Sequence, residues 1–375
     1  MAVKSAMMTT AYDLSGTTAG TKDSDPFNQG AGHVDPTKFL NPGVVFDSDQ
    51  DDWYSYIAGQ GASVPASAGD VEPTDASDLN VASLAIGDLV ARQVVTRELT
   101  NVSGAAESYQ AKYTGSEAIS VTFDQDVYNI PAGGTVPVKI TVTAKSGFGS
   151  YAKGFVTFTG KSHVARIPVA VRPVQARVPA EVTAKVSVGS LSIGGTSGFT
   201  GTLGTQVAGL IGVKPESSSV ATGAREHIVT VPKGTDYVRF DVDAVNNSDD
   251  LDMVVYQIKG GQRVEVGVSA TGAADERVSL EQPAAGRYVA VVEGFSLSTG
   301  SNGAYSFTGI ALPAKPLTPP NLVLNPPAQP VTAGNPFTIL ASWKLSTART
   351  YLGRVQYLQN GTPTGVFTVV TLTSG

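Results

Sequence analysis

Apolar and polar residues alternate with a period of two along most of the chain from Leu79 onward. Strands that bury one face have this period, because successive side chains point to opposite faces of a sheet. Between residues 78 and 173 the alternating segments include VVTRELTNV, VPVKITVTA and HVARIPVAV, separated by turn residues at short intervals. The spacing predicts a β-sandwich of about seven strands.

Two later stretches have the same period. Residues 182–312 contain HIVTVPKGTDYVRFDVDAV and RYVAVVEGF, and short strands at regular spacing favour a second sandwich or a jelly-roll. Residues 331–375 carry FTILASWKL and VFTVVTLT on either side of Asn360-Gly361, a dipeptide that favours tight hairpins. We expect this last domain to be a partial sandwich.

Helical periodicity occurs near the N-terminus. The run AVKSAMMTTA places apolar or small residues on one helical face, and DDWYSYIAG does the same with Gly59 in a C-cap position. Further along, RPVQARVPA predicts a hinge, because proline cannot donate a hydrogen bond to a sheet. The proline-dense stretch LPAKPLTPPNLVLNPPAQP predicts an extended polyproline spacer.

Composition supports turn-rich β structure. The chain has 41 Gly and 22 Pro, and only 15% of its residues are charged, against roughly 25% in typical globular domains. The net charge of -6 offers no basic patch, so we expect no nucleic-acid partner. The absence of cysteine excludes disulfides and thiolate metal sites. No apolar run reaches the length of about 18 residues that a membrane span needs.

Sequence motifs in the first half resemble a known family. AVKSAMMTTA, followed by DPFNQGAGHVDPTKFLNPGVVFD, is similar to the end of the catalytic domain of subtilases, a family of serine proteases, especially its large plant and bacterial members. In that family the helix follows the nucleophile, which lies in a Gly-Thr-Ser-Met sequence that this chain lacks. The resemblance implies that the catalytic domain lies upstream and is missing from this chain.

Two more resemblances concern the β domains. TRELTNVSG and GKSHVARIPVAV resemble strands of the fibronectin-III-like domain that follows subtilase catalytic domains. SDDLDMVVYQ and AAGRYVAVVEGF more loosely resemble the bacterial pre-peptidase C-terminal domain.

The expected fold is therefore mainly β, with tandem antiparallel β-sandwich or jelly-roll domains preceded by a short helical remnant of a subtilase α/β catalytic domain. The expected parts are the catalytic-domain remnant at 1–60, a linker at 61–77, a fibronectin-III-like sandwich at 78–173, a linker at 174–181, a pre-peptidase C-terminal-like sandwich or jelly-roll at 182–312, a proline-rich linker at 313–330 and a partial immunoglobulin-like or fibronectin-like sandwich at 331–375. Without its catalytic domain, the short N-terminal helix is expected to fray.

Catalysis by a Ser-His-Asp triad needs a hydroxyl beside an imidazole that a carboxylate orients. The three histidines, His33, His163 and His227, lie in a turn or at strand starts without an adjacent partner, which is typical of structural histidines. Gly195-Thr196-Ser197 copies part of the subtilase nucleophile motif, but the following GFTGTLG opposes the helix that this motif begins. We therefore assign no catalytic residue.

Acidic clusters and sequons complete the candidate sites. Asp249, Asp250 and Asp252 could offer oxygen ligands to calcium, although clustered Asx residues are commonly solvated turn formers. In DSDQDDW the aspartates more simply cap the helix at Trp53. We assign no metal or cofactor-binding residue and expect no cofactor. Asn101-Val102-Ser103 and Asn360-Gly361-Thr362 fit glycosylation acceptors.

The resemblance implies that the parent protein is a secreted, extracellular subtilisin-like endopeptidase whose accessory C-terminal region is this chain. Its expected partners are the missing catalytic domain and protein substrates or cell-surface material. An alternative from another functional class is a stand-alone secreted β-sandwich array that binds protein or polysaccharide surfaces. The N-terminal segment argues against this alternative, because a binding array needs no subtilase helix and loop.

The purified 375-residue chain should hydrolyse no peptide bond. No stretch of its sequence has the pattern of a serine placed beside a base that an acid orients. Casein and chromogenic peptide assays measure this directly. Turnover that serine-directed inhibitors abolish would contradict the prediction.

Overall fold

The computed structural model describes residues 1–15, 22–221, 223–314, 321–345 and 349–374. The chain is mainly β with short helices near its N-terminus, which confirms the predicted fold class. It divides into two compact units. The first comprises Met1–Arg177 with Thr196–Thr200 and Thr332–Asn335, and the second comprises Val178–Gly195, Gly201–Val331 and Pro336–Gly375.

The first unit holds all the α-helices of the described residues. They are α1 (Ala2–Thr9), α2 (Pro26–Gln29) and α3 (Gln50–Gly59), with 3-10 turns at Ala66–Ala68 and Ala76–Asp78. Its strands are β1 (Leu14–Ser15), β2 (Lys22–Asp23), β3 (Val44–Val45), β4 (Leu84–Val90), β5 (Arg92–Asn101), β6 (Glu107–Gly115), β7 (Ile119–Phe123), β8 (Tyr128–Ile130), β9 (Thr135–Ala144), β10 (Ala152–Thr159), β11 (Val164–Val174) and β12 (Ala176–Arg177).

Nine of these strands form a sandwich, here called the fibronectin-like sandwich after the resemblance stated above. Eight of them come from the predicted region, and β3 comes from the N-terminal segment. One sheet has the order β4-β11-β10-β6-β8 and the other β3-β5-β9-β7. The alternating segments bury one face each, so that Val95 and Leu99 of β5 meet Val156 and Phe158 of β10 in a core from which water is excluded. Strand β3 comes from the N-terminal segment and pairs with the end of β5, where Val44 lies opposite Asn101.

The motif TRELTNVSG holds this sandwich together through two buried polar side chains. The Arg97 guanidinium is 2% exposed and donates to the carbonyl oxygens of Ser77 and Ser83, at 2.6 and 2.7 Å. Burial lowers the pKa of Arg97 to about 10. Asn101 donates to the carbonyl oxygens of Ala105 and Ile130, which closes the turn after β5.

The second unit is built from strands alone in the described residues. They are β13 (Glu181–Ala184), β14 (Val188–Ser197), β15 (Gly201–Val213), β16 (Glu216–Ser219), β17 (Arg225–Val231), β18 (Thr235–Ala244), β19 (Asp250–Lys259), β20 (Gln262–Ser269), β21 (Glu276–Glu281), β22 (Gly286–Ser296), β23 (Ala304–Pro313), β24 (Leu322–Asn325), β25 (Ala328–Val331), β26 (Pro336–Lys344), β27 (Thr350–Gln359) and β28 (Thr362–Thr373).

Strand pairing divides this unit differently from the sequence-based boundaries at 182–312 and 331–375. Strands β16 to β23 form one sandwich with the sheets β16-β23-β18-β21 and β17-β22-β19-β20. Strand β15 pairs with β27 and β25, and β13 pairs in parallel with β28. The sandwich of β16 to β23, here called the inserted sandwich, therefore interrupts a second one, here called the split sandwich.

Part of the expected polyproline spacer also forms strands. Residues 315–320 lie outside the described residues, but β24 and β25 belong to the split sandwich. Asn321 bridges the two ends of the insertion, since its side chain accepts from Leu210 N and donates to Leu210 O. Alternation identifies strands but not their partners, so a partner about 150 residues away stays hidden in the sequence.

The inserted and split sandwiches meet through an apolar cluster and buried arginines. Leu312 of β23 packs with Leu352 of β27 and Val369 of β28. Arg239, 3% exposed, donates to Glu181 at 2.8 Å. Burial works to raise the pKa of Glu181, but the Arg239 and Thr371 hydrogen bonds hold it below its usual value. The carboxylate is therefore a charged link between the two sandwiches.

Removing residues 321–375 should unfold the segment 178–213, because β13 and β15 lose their pairing partners. Residues 1–173 and 216–313 keep their own cores and should stay resistant to protease. Limited proteolysis with mass spectrometry locates the first cleavages. Equal resistance of 178–213 in the truncated and full chains would show that the split sandwich does not depend on its second half.

Candidate functional site

The N-terminal segment folds against the fibronectin-like sandwich along one face of α1. Ser5, Ala6 and Thr9 are buried, and Ser5 Oγ accepts a hydrogen bond from Phe46 N at 2.8 Å. Met8 packs on the sandwich core. The helix expected to fray thus has a packing partner within the chain, while Val3 on its opposite side is 70% exposed.

Beside this helix lies an apolar hollow of about 260 Å³. Met8, Phe46, Trp53, Tyr56 and Leu79 contribute to its lining. Trp53 and Tyr56 come from α3, whose N-terminus is fixed by a capping box between Asp49 and Asp52. This cap confirms the predicted role of aspartates in DSDQDDW.

A carboxylate, Glu107, ties β6 to the turn between β10 and β11, on the side of the sandwich that the N-terminal segment contacts. Its Oε2 lies 2.6 Å from His163 Nδ1, and its Oε1 accepts from Ser162 N at 2.6 Å. Tyr109 also donates to it at 3.0 Å. Burial works to raise the pKa of Glu107, but these hydrogen bonds, led by that from His163, lower it to about 2.

Gly43 of the N-terminal segment lies directly against this cluster. Its φ is +76°, and a Cβ at this position would lie 2.4 Å from His163 Cβ and 2.6 Å from the Tyr109 hydroxyl. Only glycine fits here, because the backbone conformation is left-handed and the space is taken. The glycine of NPGVVFD therefore sets how closely the segment approaches the sandwich.

Arg166 forms a second link on the same side. It pairs with Asp13 at 2.7 Å, donates to the carbonyl oxygen of Ala31 at 3.0 Å, and stacks over the Phe155 ring. Nearby, Lys153 of β10 pairs with Asp25 at the N-terminus of α2. The contacts with Asp13, Ala31 and Asp25 join residues more than 100 positions apart. Glu107 meets His163 at a separation of 56 positions. No local sequence pattern therefore indicates Glu107 or Arg166.

The three histidines lie in three separate environments. His33 is exposed, and its Nδ1 lies 2.9 Å from the carbonyl oxygen of Val34. His163 faces Glu107, as described above. His227 is 3% exposed, stacks on Phe307, and has Nε2 2.7 Å from the Tyr305 hydroxyl. Its Nδ1 lies 3.2 Å from a Glu216 oxygen, without the alignment of a hydrogen bond.

Ser197 occupies the end of a strand. It is buried at the end of β14, and its hydroxyl donates to the carbonyl oxygen of Phe199 at 2.7 Å. In the described structure this hydroxyl is hydrogen-bonded within the neighbouring turn and to no imidazole. The subtilase nucleophile instead begins a helix in the resemblance stated above.

Asp249 of the acidic loop and Asn101 of the first sequon are also engaged internally. Asp249 is 3% exposed and accepts from Ser298 N, Ser298 Oγ and Ser301 Oγ. The Ser301 hydrogen bond leads the contacts that lower its pKa. Within the described ranges, no three His, Asp or Glu side chains group in a way that could hold a metal ion. Asn101 is completely buried, so glycosylation of its amide would require unfolding.

Comparison with known proteins agrees with the described fold of the first unit. Residues 78–171 match the family model of the fibronectin type-III domain. The chain is 31% identical over 189 residues to Subtilisin-like protease SBT2.5 and 31% identical over 192 residues to Subtilisin-like protease SBT2.6, both from Arabidopsis thaliana. Each match covers 45% of this chain and 23% of the relative, so the chain spans about a quarter of these proteins' length.

Solved structures give only weak likenesses. Secreted serine protease VesC from Vibrio cholerae matches 61% of this chain and 49% of its own, with 8% identity and a TM-score of 0.22. That score is too low to support a conclusion about fold. No helix among the described residues combines the length and apolar character of a membrane span. The sequence relatives and the family match together make the chain similar to the C-terminal, non-catalytic part of subtilisin-like proteases, with a fibronectin type-III domain at residues 78–171.

Proposed function

We propose that this chain is the accessory C-terminal region of a secreted, extracellular subtilisin-like serine endopeptidase. Proteolysis belongs to a catalytic domain upstream, and this region braces that domain. The observation that carries the proposal is the N-terminal segment, which has subtilase-like sequence and is built into the fibronectin-like sandwich through β3, Met8, Gly43 and Arg166.

The way in which this segment is held supports the bracing role. It contributes a strand to one sheet, and through Gly43 it contacts Tyr109 and His163, which belong to the side of the other sheet. A segment fixed to both sheets cannot hinge freely, so a catalytic domain continuous with it would be held firmly. The apolar hollow and the exposed side of α1 offer the surface on which such a domain would pack.

We further propose that the inserted sandwich is a pre-peptidase C-terminal-like domain. Its two resembling motifs, SDDLDMVVYQ and AAGRYVAVVEGF, lie on the neighbouring strands β19 and β22, where Met253 pairs with Val292. Two motifs of one domain must lie in the same sandwich, and these two lie on adjacent strands of it. The partners of this domain would be protein substrates or cell-surface material.

The coding sequence upstream of Met1 provides the first test. We expect it to encode Gly-Thr-Ser-Met together with the Asp and His motifs of a subtilase. The longer protein should then hydrolyse casein in a manner sensitive to serine-directed inhibitors. An unrelated upstream domain would contradict the proposal and favour the stand-alone binding array.

The bracing role has its own test in two lengths of the same protease. A protein that ends at residue 60 lacks the sandwich, and we expect its activity to be lost on heating about tenfold faster than that of the protein ending at residue 375. Thermal inactivation half-lives measure this difference. Equal half-lives would remove the bracing role while leaving the protease assignment intact.

The junction itself should be acid-sensitive through Glu107. Its folded pKa of about 2 lies below that of a free glutamate, so its stabilising effect is complete above about pH 4.5 and is lost as the pH falls towards 2. Glu107→Gln removes the charged hydrogen bonds to His163 and should lower the unfolding free energy at pH 7 by about 1–3 kcal/mol.

Urea unfolding of the full chain at pH 7, 4 and 2.5 checks this expectation. The stability difference between wild type and Glu107→Gln should shrink at the lowest pH. Glu117→Gln, an exposed change in the same domain, serves as the control. A difference that stays constant with pH would mean that the Glu107 carboxylate charge has no role.

A further inference from the structure

An open cleft separates β6 and β7 at one side of the fibronectin-like sandwich. The two strands follow each other in sequence but belong to different sheets, so the cleft lies between the sheets. Its volume is about 1030 Å³. We call it the edge cleft, and its lining consists of residues 111–117 and 119–123 with Gln125, Asp126 and Lys145.

Among the residues that the structure describes, both strands that wall the edge cleft lack a paired strand on the cleft side. In the same residues, β7 ends its sheet and pairs with β9 alone. Strand β8 covers β6 only at Glu107–Tyr109, so the stretch 111–115 pairs with β10 alone in the described part of the chain. A strand with one neighbour presents unpaired N–H and C=O groups on its other side.

The sandwich core is partly open along the same stretch. Where β8 covers β6, Tyr109 and Tyr128 are 0% and 1% exposed. Beyond that point Tyr113, Val121 and Phe123 still pack on the core but are only partly buried. Apolar side chains can therefore be reached from the cleft, and they lie next to the unpaired backbone groups.

Tyr113 is held rigidly as one wall of the edge cleft. Its ring packs against Gly154, where an added Cβ would lie 2.9 Å from the ring. Its hydroxyl donates to the carbonyl oxygens of Ser116 and Lys153 at 3.3 and 3.4 Å. A wall that is already in place loses little conformational freedom when a ligand binds.

We propose that the edge cleft binds an extended polypeptide segment by strand addition. Strand β8 shows how such a segment fits, because Tyr128 and Ile130 point into the core while Asn129 points outward to the Ser108 hydroxyl. A bound segment would continue this line along residues 111–115, with alternate apolar side chains against Tyr113, Val121 and Phe123.

Charge and shape favour a segment with little net charge over a second copy of this chain. The rim carries Lys112 and Lys145 together with Glu117 and Asp126, so the two signs balance. The unpaired edges are recessed, and a symmetric contact between copies would bring two concave clefts face to face. This binding site depends only on the sandwich and does not rest on the proposed protease function.

The probe is a fluorescent peptide of about nine residues with alternating Val and Thr between one terminal lysine and one terminal glutamate, whose charges cancel. A matched control peptide carries N-methyl groups on alternate backbone amides, which removes donors while keeping the side chains. Fluorescence anisotropy with the full chain measures affinity. We expect N-methylation to weaken binding about tenfold or more, because backbone hydrogen bonds hold the peptide.

Val121→Lys places a charge on β7, one wall of the cleft, and should also weaken binding about tenfold or more. Val264→Lys makes the same change on the edge strand β20 of the inserted sandwich and should leave binding unchanged. Circular dichroism checks that both variants fold. If Val121→Lys unfolds, the comparison of the two peptides on the wild-type chain still decides.

Hydrogen exchange locates the bound peptide. Amides of residues 111–115 and 119–123 should exchange more slowly when the peptide is present. Absence of binding, equal binding of the N-methylated peptide, or protection elsewhere would overturn the proposal. Concentration-dependent protection of the same amides without peptide would identify a second copy as the occupant and overturn it as well.

Discussion

Pairing between strands that are distant in sequence is the constraint on which this structure depends. Strand β3 reaches β5 across more than fifty residues, and β13 reaches β28 across almost the whole second unit. Each neighbouring strand satisfies about half of a strand's backbone hydrogen-bonding groups, so a missing neighbour leaves those groups without partners. Each sandwich is therefore complete only when both ends of its part of the chain are present.

This constraint explains what the sequence predicts well and what it misses. The period of two identified strands over most of the chain because side-chain alternation is local. The boundaries in the second half depended on partners, and here the inserted sandwich separates β15 from β27. The proline-dense stretch around β24 and β25 looked like a spacer, since proline favours extended backbone in a spacer and at a sheet edge alike.

In the first unit as well, sequence motifs predict some of the residues that hold the N-terminal segment and the sandwich, but not all of them. NPGVVFD and TRELTNVSG resemble sequences of the family. The structure shows that Gly43 allows close approach of the segment, while Arg97 and Asn101 donate hydrogen bonds to backbone carbonyl oxygens. Glu107 belongs to no motif and has no helical or charge pattern around it. Its importance comes from His163, 56 residues away, and such a pairing carries no sequence signal.

Two short strands each close only part of a sheet edge in the fibronectin-like sandwich. Strand β3 has two residues and β8 has three, yet each closes an edge and buries the core behind it. Their brevity leaves the rest of those edges open, and at β6 this opening coincides with partly exposed core side chains. Natural sheets usually protect such an edge with proline or an inward charge, but β7 carries neither between Ile119 and Phe123. The open edge at β6 and β7 is protected in a different way, because it is recessed between the two sheets. Another folded sheet edge cannot enter this space, whereas a single extended chain can.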